Sequence, residues 1–141
     1  KDIIVTAGGK NISPQNIENS IKNSKFIEQI AVIGDKRKYL SALVIPAFEE
    51  VEKWAKKGGI SFSDRADLLR KEEVSKLVAG ELDKYTKQFS RVEQIRKFTL
   101  LDAEWTQATG ELTPTLKVKR RVLEKKYAGE IESMYPKDSG D

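Results

Sequence analysis

The chain has 141 residues, of which 38% are hydrophobic and 34% charged, a balance typical of one compact domain with a heavily charged surface. Its formal net charge of +4 is too small to indicate a polyanionic partner by itself. Because Cys and His are absent, zinc fingers, disulfides, Cys or His nucleophiles and Ser-His-Asp triads are excluded. No apolar run approaches the roughly 20 residues of a membrane-spanning helix.

The first 24 residues predict a hairpin that leads into a helix. Residues 3–6 are mostly β-branched and precede Gly8-Gly9, so residues 10–12 are expected to pair back as a short strand. Pro14 suits a first helical turn, and Ile17 and Ile21 then face inward. The chain opens directly on a strand-like run without an initiator Met, so we expect a longer protein to have been cut here.

The next segment predicts two antiparallel strands and a helix. Residues 28–34 and 39–45 are largely apolar and are joined by a short charged turn. Pro46 ends the second strand. A helix over residues 48–57 follows, and Gly58-Gly59 terminates it.

The second half of the chain predicts more helix around one further strand. Residues 63–89 are helical in pattern, residues 95–101 resemble a strand, and residues 105–117 form an extended loop with Thr109-Gly110 at its tip. A basic helix over residues 118–134 completes an α+β domain with an N-terminal β-hairpin, a short mainly antiparallel sheet and flanking helices. The side chains expected on the inner face of that helix are Val122, Leu123, Tyr127, Ile131 and Met134.

Residues 1–18 are the first candidate for a functional segment. As a pattern, they favour a plain hairpin with a Gly-Gly turn before a helix. Paired glycines also let a backbone approach something narrow, such as a cofactor arm or a phosphate. The segment is not a P-loop, because G-x-x-x-x-G-K-[ST] is absent.

Residues 111–121 are the second candidate, and their pattern leaves three interpretations open. A solvated, basic start of a helix is the usual role of such a charge run. A second interpretation is contact with phosphate or nucleic acid through the four basic side chains. The third needs only one lysine, carried on an extended loop into an anionic active site. The four basic residues are Lys117, Lys119, Arg120 and Arg121.

The two segments resemble the adenylate-forming enzymes, and specifically their long-chain fatty acid–CoA ligases (long-chain acyl-CoA synthetases). That family has a hinge, a strand, a Gly-containing turn and an Ile-x-Pro-x-x-Ile-Glu helix start, matched here by Lys1-Asp2, Gly8-Gly9 and residues 12–18. Residues 27–46 resemble the strand pair that follows in the family. Residues 112–121 resemble its C-terminal catalytic-lysine motif.

The resemblance covers residues 1–136 and implies that they form the small C-terminal lid of a two-domain ligase, with residues 137–141 as a frayed tail. The family converts a fatty acid and Mg-ATP to acyl-AMP and pyrophosphate, and coenzyme A then displaces AMP to give the thioester. The lid rotates between the two half-reactions. ATP with Mg²⁺ and coenzyme A are thus expected as substrates of the whole enzyme, with none bound by this domain alone and the isolated domain inactive.

The resemblance also assigns roles to individual residues. Lys117 matches the catalytic lysine of the first half-reaction, where an ammonium on a flexible stem can bridge the acyl carboxylate and the α-phosphate. Lys1 matches the hinge position, with Asp2 beside it. Gly8 and Gly9 match the turn that approaches the pantetheine arm of coenzyme A.

Two departures limit the residue assignments. Thr115-Leu116 stands where the short-chain form of the lysine motif has Ser-Gly, as in the long-chain branch. The glycine turn is one residue longer than in many relatives, which leaves open which glycine lies nearest the thiol. The resemblance gives no role to Lys119, Arg120 and Arg121; we favour solvent exposure over contact with coenzyme A phosphates for all three.

Two alternatives to the ligase interpretation remain: a basic α+β nucleic-acid-binding module, and the lid of an adenylating enzyme with another acid or acceptor. Under the ligase interpretation, we expect the partners to be the chain's own large N-terminal domain, a fatty acid, ATP and coenzyme A, and we expect no nucleic acid. It expects no metal ligands in this chain. We also expect the full-length protein to be cytoplasmic, and this interpretation is compatible with peripheral contact at the inner face of a membrane.

Overall fold

The computed structural model describes residues 2–137, which form two small sheets and six α-helices. The elements in chain order are β1 (Ile4–Val5), β2 (Asn11–Ile12), α1 (Pro14–Ile21), β3 (Ile27–Ile33), β4 (Leu40–Pro46), α2 (Phe48–Lys57), α3 (Arg65–Arg70), α4 (Glu72–Lys84), a 3-10 turn (Arg91–Glu93), β5 (Ile95–Leu100), α5 (Arg120–Lys126) and α6 (Ala128–Ser133).

The predicted N-terminal hairpin and the helix after it are both present. β1 pairs antiparallel with β2, and Ile4 lies opposite Ile12. Both side chains are buried, as are Ile17 and Ile21 on the inner side of α1. Apolar residues at i and i+4 lie on one face of a helix, so α1 buries that face against the larger sheet.

The larger sheet has the strand order β3-β4-β5. β3 and β4 are antiparallel as predicted, with Ala31 opposite Leu43. β5 runs parallel to β4, because the three helices α2 to α4 carry the chain back across the sheet before β5 begins. Two of the three pairings between strands of residues 2–137 are therefore antiparallel, in agreement with the predicted fold class.

Both faces of this sheet are covered, which is why β4 is buried along its entire length. One face packs against the hairpin, α1 and α4 through Ile30, Val32, Leu40, Ala42 and Val44. The other face packs against the loop after β5 and the last two helices. Its core residues are Ala31, Ile33, Leu43, Ile45, Phe48, Leu101, Trp105, Leu112, Leu123, Tyr127, Ile131 and Met134.

The predicted helices differ from the observed ones in two places. The helical stretch over residues 63–89 is two helices, because Lys71 between α3 and α4 is extended, with ψ 132°. The predicted final helix begins at Arg120 rather than at residue 118, and Tyr127 interrupts it with φ −111° and ψ 32°. The prediction that Val122 faces inward is wrong, since 39% of its surface is exposed.

Lys1 and residues 138–141 lie outside the described residues. The predicted hinge residue Lys1 therefore has no structural description, nor does the predicted tail beyond Lys137. Within residues 2–137, no helix combines the length and the apolar character that crossing a membrane requires.

Candidate functional site

Arg120, the first residue of α5, is buried, and three parts of the chain hold its guanidinium. Nη2 lies 2.6 Å from Oδ2 of Asp2, and Nη1 lies 2.5 Å from Oε2 of Glu18. Nη1 also donates to the carbonyl oxygen of Val32 at 2.7 Å. Asp2, Glu18 and Arg120, called here the Arg120 cluster, thus join the predicted hinge, α1 and the start of α5.

The two carboxylates of the Arg120 cluster differ in their electrostatics. Burial is the largest influence on Glu18 and raises its pKa, although Arg120 and the Val32 N–H oppose the rise. Burial also tends to raise the pKa of Asp2, but its hydrogen bond and charge attraction to Arg120 outweigh burial and lower that pKa. Burial alone would lower the pKa of Arg120, and the hydrogen bonds with both carboxylates raise it instead.

The favoured prediction that Arg120 faces solvent is wrong. Only 8% of its surface is exposed, whereas Lys119 and Arg121 on either side of it are exposed. A signal for this burial was present in the sequence, because Arg120 lies three residues before the buried Leu123 and seven before Tyr127, on one helix face. Its burial also removes one of the four basic side chains on which the nucleic-acid interpretation relied.

Lys117 lies at the end of a tight turn within the predicted loop, which connects β5 to α5. Leu112 and Val118 form an isolated antiparallel bridge at the base of the turn. Within it, the Thr113 N–H donates to the Lys117 carbonyl at 2.8 Å, and the Lys117 N–H donates to Oγ1 of Thr113 at 3.0 Å. The side chain of Lys117 is exposed, and its Nζ donates to Oε1 of Gln15 at 3.4 Å.

Gln15 connects Lys117 to the Arg120 cluster. Its Nε2 lies 3.5 Å from Oδ2 of Asp2, while its Oε1 accepts from Lys117. A small cavity of about 40 Å³ lies between the lysine turn, α1 and β3. The structure thus brings together two predicted site residues, Lys117 and Asp2, through a glutamine that the sequence analysis did not single out.

The base of the Lys117 turn is fixed to α5 by Glu111, which is 1% exposed. Its carboxylate accepts from Nζ of Lys126 at 2.5 Å and from the Thr106 N–H at 3.1 Å. Burial tends to raise the pKa of Glu111, but hydrogen bonds from Lys126, Thr109 and Thr106 outweigh it and lower that pKa to about 2. No pattern in the sequence indicates a bond between residues 15 positions apart across an irregular loop.

Gly8 and Gly9 form the turn of the N-terminal hairpin. Gly9 has φ +85°, in the left-handed region that favours glycine, and a Cβ atom placed there would meet nothing within 4 Å. A Cβ atom on Gly8 would meet only Oγ1 of Thr6, at 4.0 Å. The backbone of this turn is thus open to an approaching molecule.

Gly8 lines a cavity of about 260 Å³ that is rich in basic side chains. The cationic residues around it are Lys10, Lys38, Arg91 and Arg96. Cations around a bare backbone turn suit an anionic ligand with a thin extension. This cavity shares no lining residue with the one beside Lys117, so the structure does not bring the glycine turn and Lys117 together.

The chain is similar to curated ligases along almost its whole length. It is 40% identical to Long-chain-fatty-acid--CoA ligase FadD15 of Mycobacterium tuberculosis, over 98% of this chain and 23% of that protein. It is 36% identical to the chloroplastic Long-chain-fatty-acid--[acyl-carrier-protein] ligase AEE15 of Arabidopsis thaliana, over 96% of this chain and 17% of that protein. The chain therefore spans about a fifth of the length of these relatives.

A solved structure has the same fold. The adenylation domain of a carboxylate reductase from Mycobacterium chelonae aligns with a TM-score of 0.75 and 24% identity, over 95% of this chain and 19% of that one. The sequence model of the family described as "AMP-binding enzyme C-terminal domain" matches residues 1–139. With the fold and the family match in agreement, this chain belongs to the AMP-binding enzyme C-terminal domains.

Proposed function

We propose that residues 1–136 are the C-terminal lid of a ligase that activates a long-chain fatty acid with ATP and transfers it to coenzyme A. The observation that carries the proposal is the position of Lys117. Its exposed ammonium projects from a tight turn and is linked through Gln15 to Asp2, next to the proposed hinge residue Lys1. The identity to a long-chain fatty acid–CoA ligase supports the same function.

In the first half-reaction, a carboxylate oxygen of the fatty acid attacks the α-phosphorus of ATP, and pyrophosphate leaves. Negative charge on both reacting groups opposes this attack, and the ammonium of Lys117 is proposed to bridge them. The turn around Lys117 supports this role, because its backbone hydrogen bonds fix the peptide while the side chain extends outward. Mg²⁺ would arrive with ATP and neutralise the departing pyrophosphate.

In the second half-reaction, the thiolate of coenzyme A attacks the acyl carbonyl carbon, and AMP leaves. The turn at Gly8-Gly9 is proposed to flank the pantetheine arm, since neither glycine has a side chain to obstruct it. The basic cavity beside Gly8 supports this assignment because coenzyme A carries three phosphates. The separation of this cavity from Lys117 is consistent with a lid that uses a different face in each half-reaction.

A carrier protein is a second candidate for the acyl acceptor. The specific observation is the 36% identity to a ligase that is named for an acyl-carrier-protein acceptor. Both acceptors present a phosphopantetheine thiol, so the glycine turn suits either of them. Thioester formation measured in parallel with coenzyme A and with a loaded carrier protein separates the two.

The test of the proposal is fatty-acid-dependent ATP–pyrophosphate exchange by the full-length protein that carries this chain. We expect Lys117→Ala to lower exchange by about 10²-fold or more, while thioester formation from preformed acyl-AMP is largely retained. Lys125→Ala is the matched control, because Lys125 is also exposed but lies on α5. Exchange that survives Lys117→Ala would refute the lysine assignment, and no exchange with any fatty acid would refute the substrate class.

The 141-residue chain on its own is expected to form no acyl-CoA, because the acyl and nucleotide sites are proposed to lie on the large domain. Incubation of the purified chain with fatty acid, Mg-ATP and coenzyme A tests this. Thioester produced by the chain alone would show that it carries a complete active site.

A further inference from the structure

Leu116, immediately before Lys117, has the left-handed backbone conformation, with φ +65°. Three of the five residues with positive φ among residues 2–137 are glycines, and a fourth is Lys36 in an exposed turn. A branched, bulky side chain is disfavoured in this region, because its Cβ crowds the backbone. The tight turn imposes the conformation: the Leu116 N–H donates to the Thr113 carbonyl at 2.8 Å.

Leu116 is also the most exposed of the large hydrophobic side chains in the described part of the chain, with 59% of its surface in solvent. Leaving a leucine in water forgoes the free energy that its burial would release. Glycine would adopt this backbone conformation without steric crowding, and a polar side chain would be better solvated at this exposed position. Leucine does neither in this chain alone, so position 116 combines a disfavoured backbone conformation with an exposed apolar side chain.

We propose that Leu116 is a positioning residue that packs against the chain's own large domain when Lys117 enters the adenylation site. The inference rests on the proposed function. The occupant follows from covalent geometry, because neighbouring Cα atoms are only about 3.8 Å apart, so a surface that surrounds Lys117 also borders Leu116. The rest of the protein supplies that surface, since this chain spans only 23% of its 40% identical relative.

Such a contact would act on the lid orientation rather than on substrate binding. Burial of Leu116 is gained only in the orientation that inserts Lys117, so it shifts the lid toward that orientation by the free energy of the contact. The thioester-forming orientation uses the Gly8-Gly9 face and gains nothing from this contact. Removal of the leucine side chain should therefore slow adenylation selectively.

The test compares Leu116→Asn and Leu116→Gly in the full-length protein, because asparagine and glycine both tolerate the left-handed conformation. We expect the kcat of pyrophosphate exchange to fall about tenfold or more, as the loss of one buried leucine implies. The KM for ATP should stay unchanged, and thioester formation from preformed acyl-AMP should not slow. Leu116→Met, which keeps an apolar side chain of similar volume, should restore most of the exchange.

Two controls separate docking from folding. The unfolding midpoint should not fall in the Gly and Asn variants, since both residues tolerate the left-handed conformation that the turn imposes at position 116. Val122→Asn removes another exposed apolar side chain and should leave exchange unchanged. Full exchange in Leu116→Asn, or equal losses in both half-reactions, would overturn the inference. No exchange in the wild type would overturn the proposed function, and this inference with it.

Discussion

Arg120 and Asp2 are 118 positions apart, yet they form a two-pronged ion pair: Nη2 lies 2.6 Å from Oδ2 and Nε lies 3.2 Å from Oδ1. Bidentate pairs of this kind fix orientation as well as distance. Asp2 is therefore fixed to the start of α5, and if the chain rotates as the proposed lid, a rotation that leaves this pair intact has its pivot before Asp2. The hinge role of Lys1 and Asp2 stays a prediction.

Arg120→Met should destabilise the chain strongly, because it leaves Glu18 buried without its charged partner. Breaking a buried pair from one side costs about 3–5 kcal/mol in the free energy of unfolding. Urea denaturation of the wild type and the variant measures the difference. Arg121→Met is the matched control: its side chain is exposed, and its effect should stay within about 0.5 kcal/mol. Equal losses in the two variants would show that the cluster contributes nothing specific.

The pairing of β3 with β4 was predictable from the sequence, because both segments are largely apolar. The apolar runs that form β3 and β4 are typical of strands that are covered on both faces. Because only a short charged turn joins them, the two strands pair in the antiparallel direction. The parallel pairing of β5 with β4 was not predictable in this way. It depends on where α2 to α4 return the chain, which is a matter of tertiary packing rather than of local pattern.

The sequence proposes single residues for the candidate site but not the contacts that hold them. The roles of Lys117 and the glycine turn come from resemblance and stay predictions, and the structure adds how each segment is held. Arg120 was misjudged because a run of three basic residues is usually solvated, whereas helix periodicity turns its middle member inward. The bonds from Gln15 and Glu111 join distant segments, which no local spacing reveals.

Glu111 should make the stability of the chain depend on pH in the acidic range. Its pKa is lowered to about 2 in the folded state from an ordinary value of 4.5. The stabilisation is therefore fully present above about pH 4.5 and is lost as the pH falls from there toward 2. Glu111→Gln should flatten this part of the pH profile of unfolding.

At neutral pH, the same Glu111→Gln variant should also lose about 1–3 kcal/mol, because an amide cannot replace the charged acceptor of Lys126. The exposed Glu104→Gln is the control, and it should leave both the profile and the neutral stability close to those of the wild type. An unchanged acid profile in the Glu111 variant would contradict the assigned electrostatics.

Substitution of Gly8 and of Gly9 by alanine should show whether each glycine is needed for the backbone conformation of the hairpin turn or for the space beside it. Gly9→Ala places a side chain at φ +85° and should cost about 1 kcal/mol of stability, whereas Gly8→Ala meets no close atom and should cost little. If both glycines flank the pantetheine arm, both variants of the full-length protein should slow thioester formation without slowing pyrophosphate exchange.

The turn at Gly110 provides the control for this comparison. Gly110 has φ +94° and open space around it, like Gly9, but it lies in another loop. Gly110→Ala should therefore lose stability as Gly9→Ala does and keep thioester formation. Normal thioester rates in both hairpin variants would remove the glycine turn from the proposed acyl-transfer step.

Gly34 and Gly80 should respond to alanine in opposite directions. A Cβ atom on Gly34 would lie 2.3 Å from Cδ2 of Leu40, which is fully buried and has little room to move, so Gly34→Ala should destabilise by about 1–3 kcal/mol. Gly80 lies inside α4 with nothing within 4 Å of its Cβ position. Gly80→Ala should thus raise stability by about 0.5–1 kcal/mol through helix propensity. Thermal and urea unfolding of the two variants check the signs, and a stabilised Gly34→Ala would mean that the β3–β4 turn packs less tightly than described.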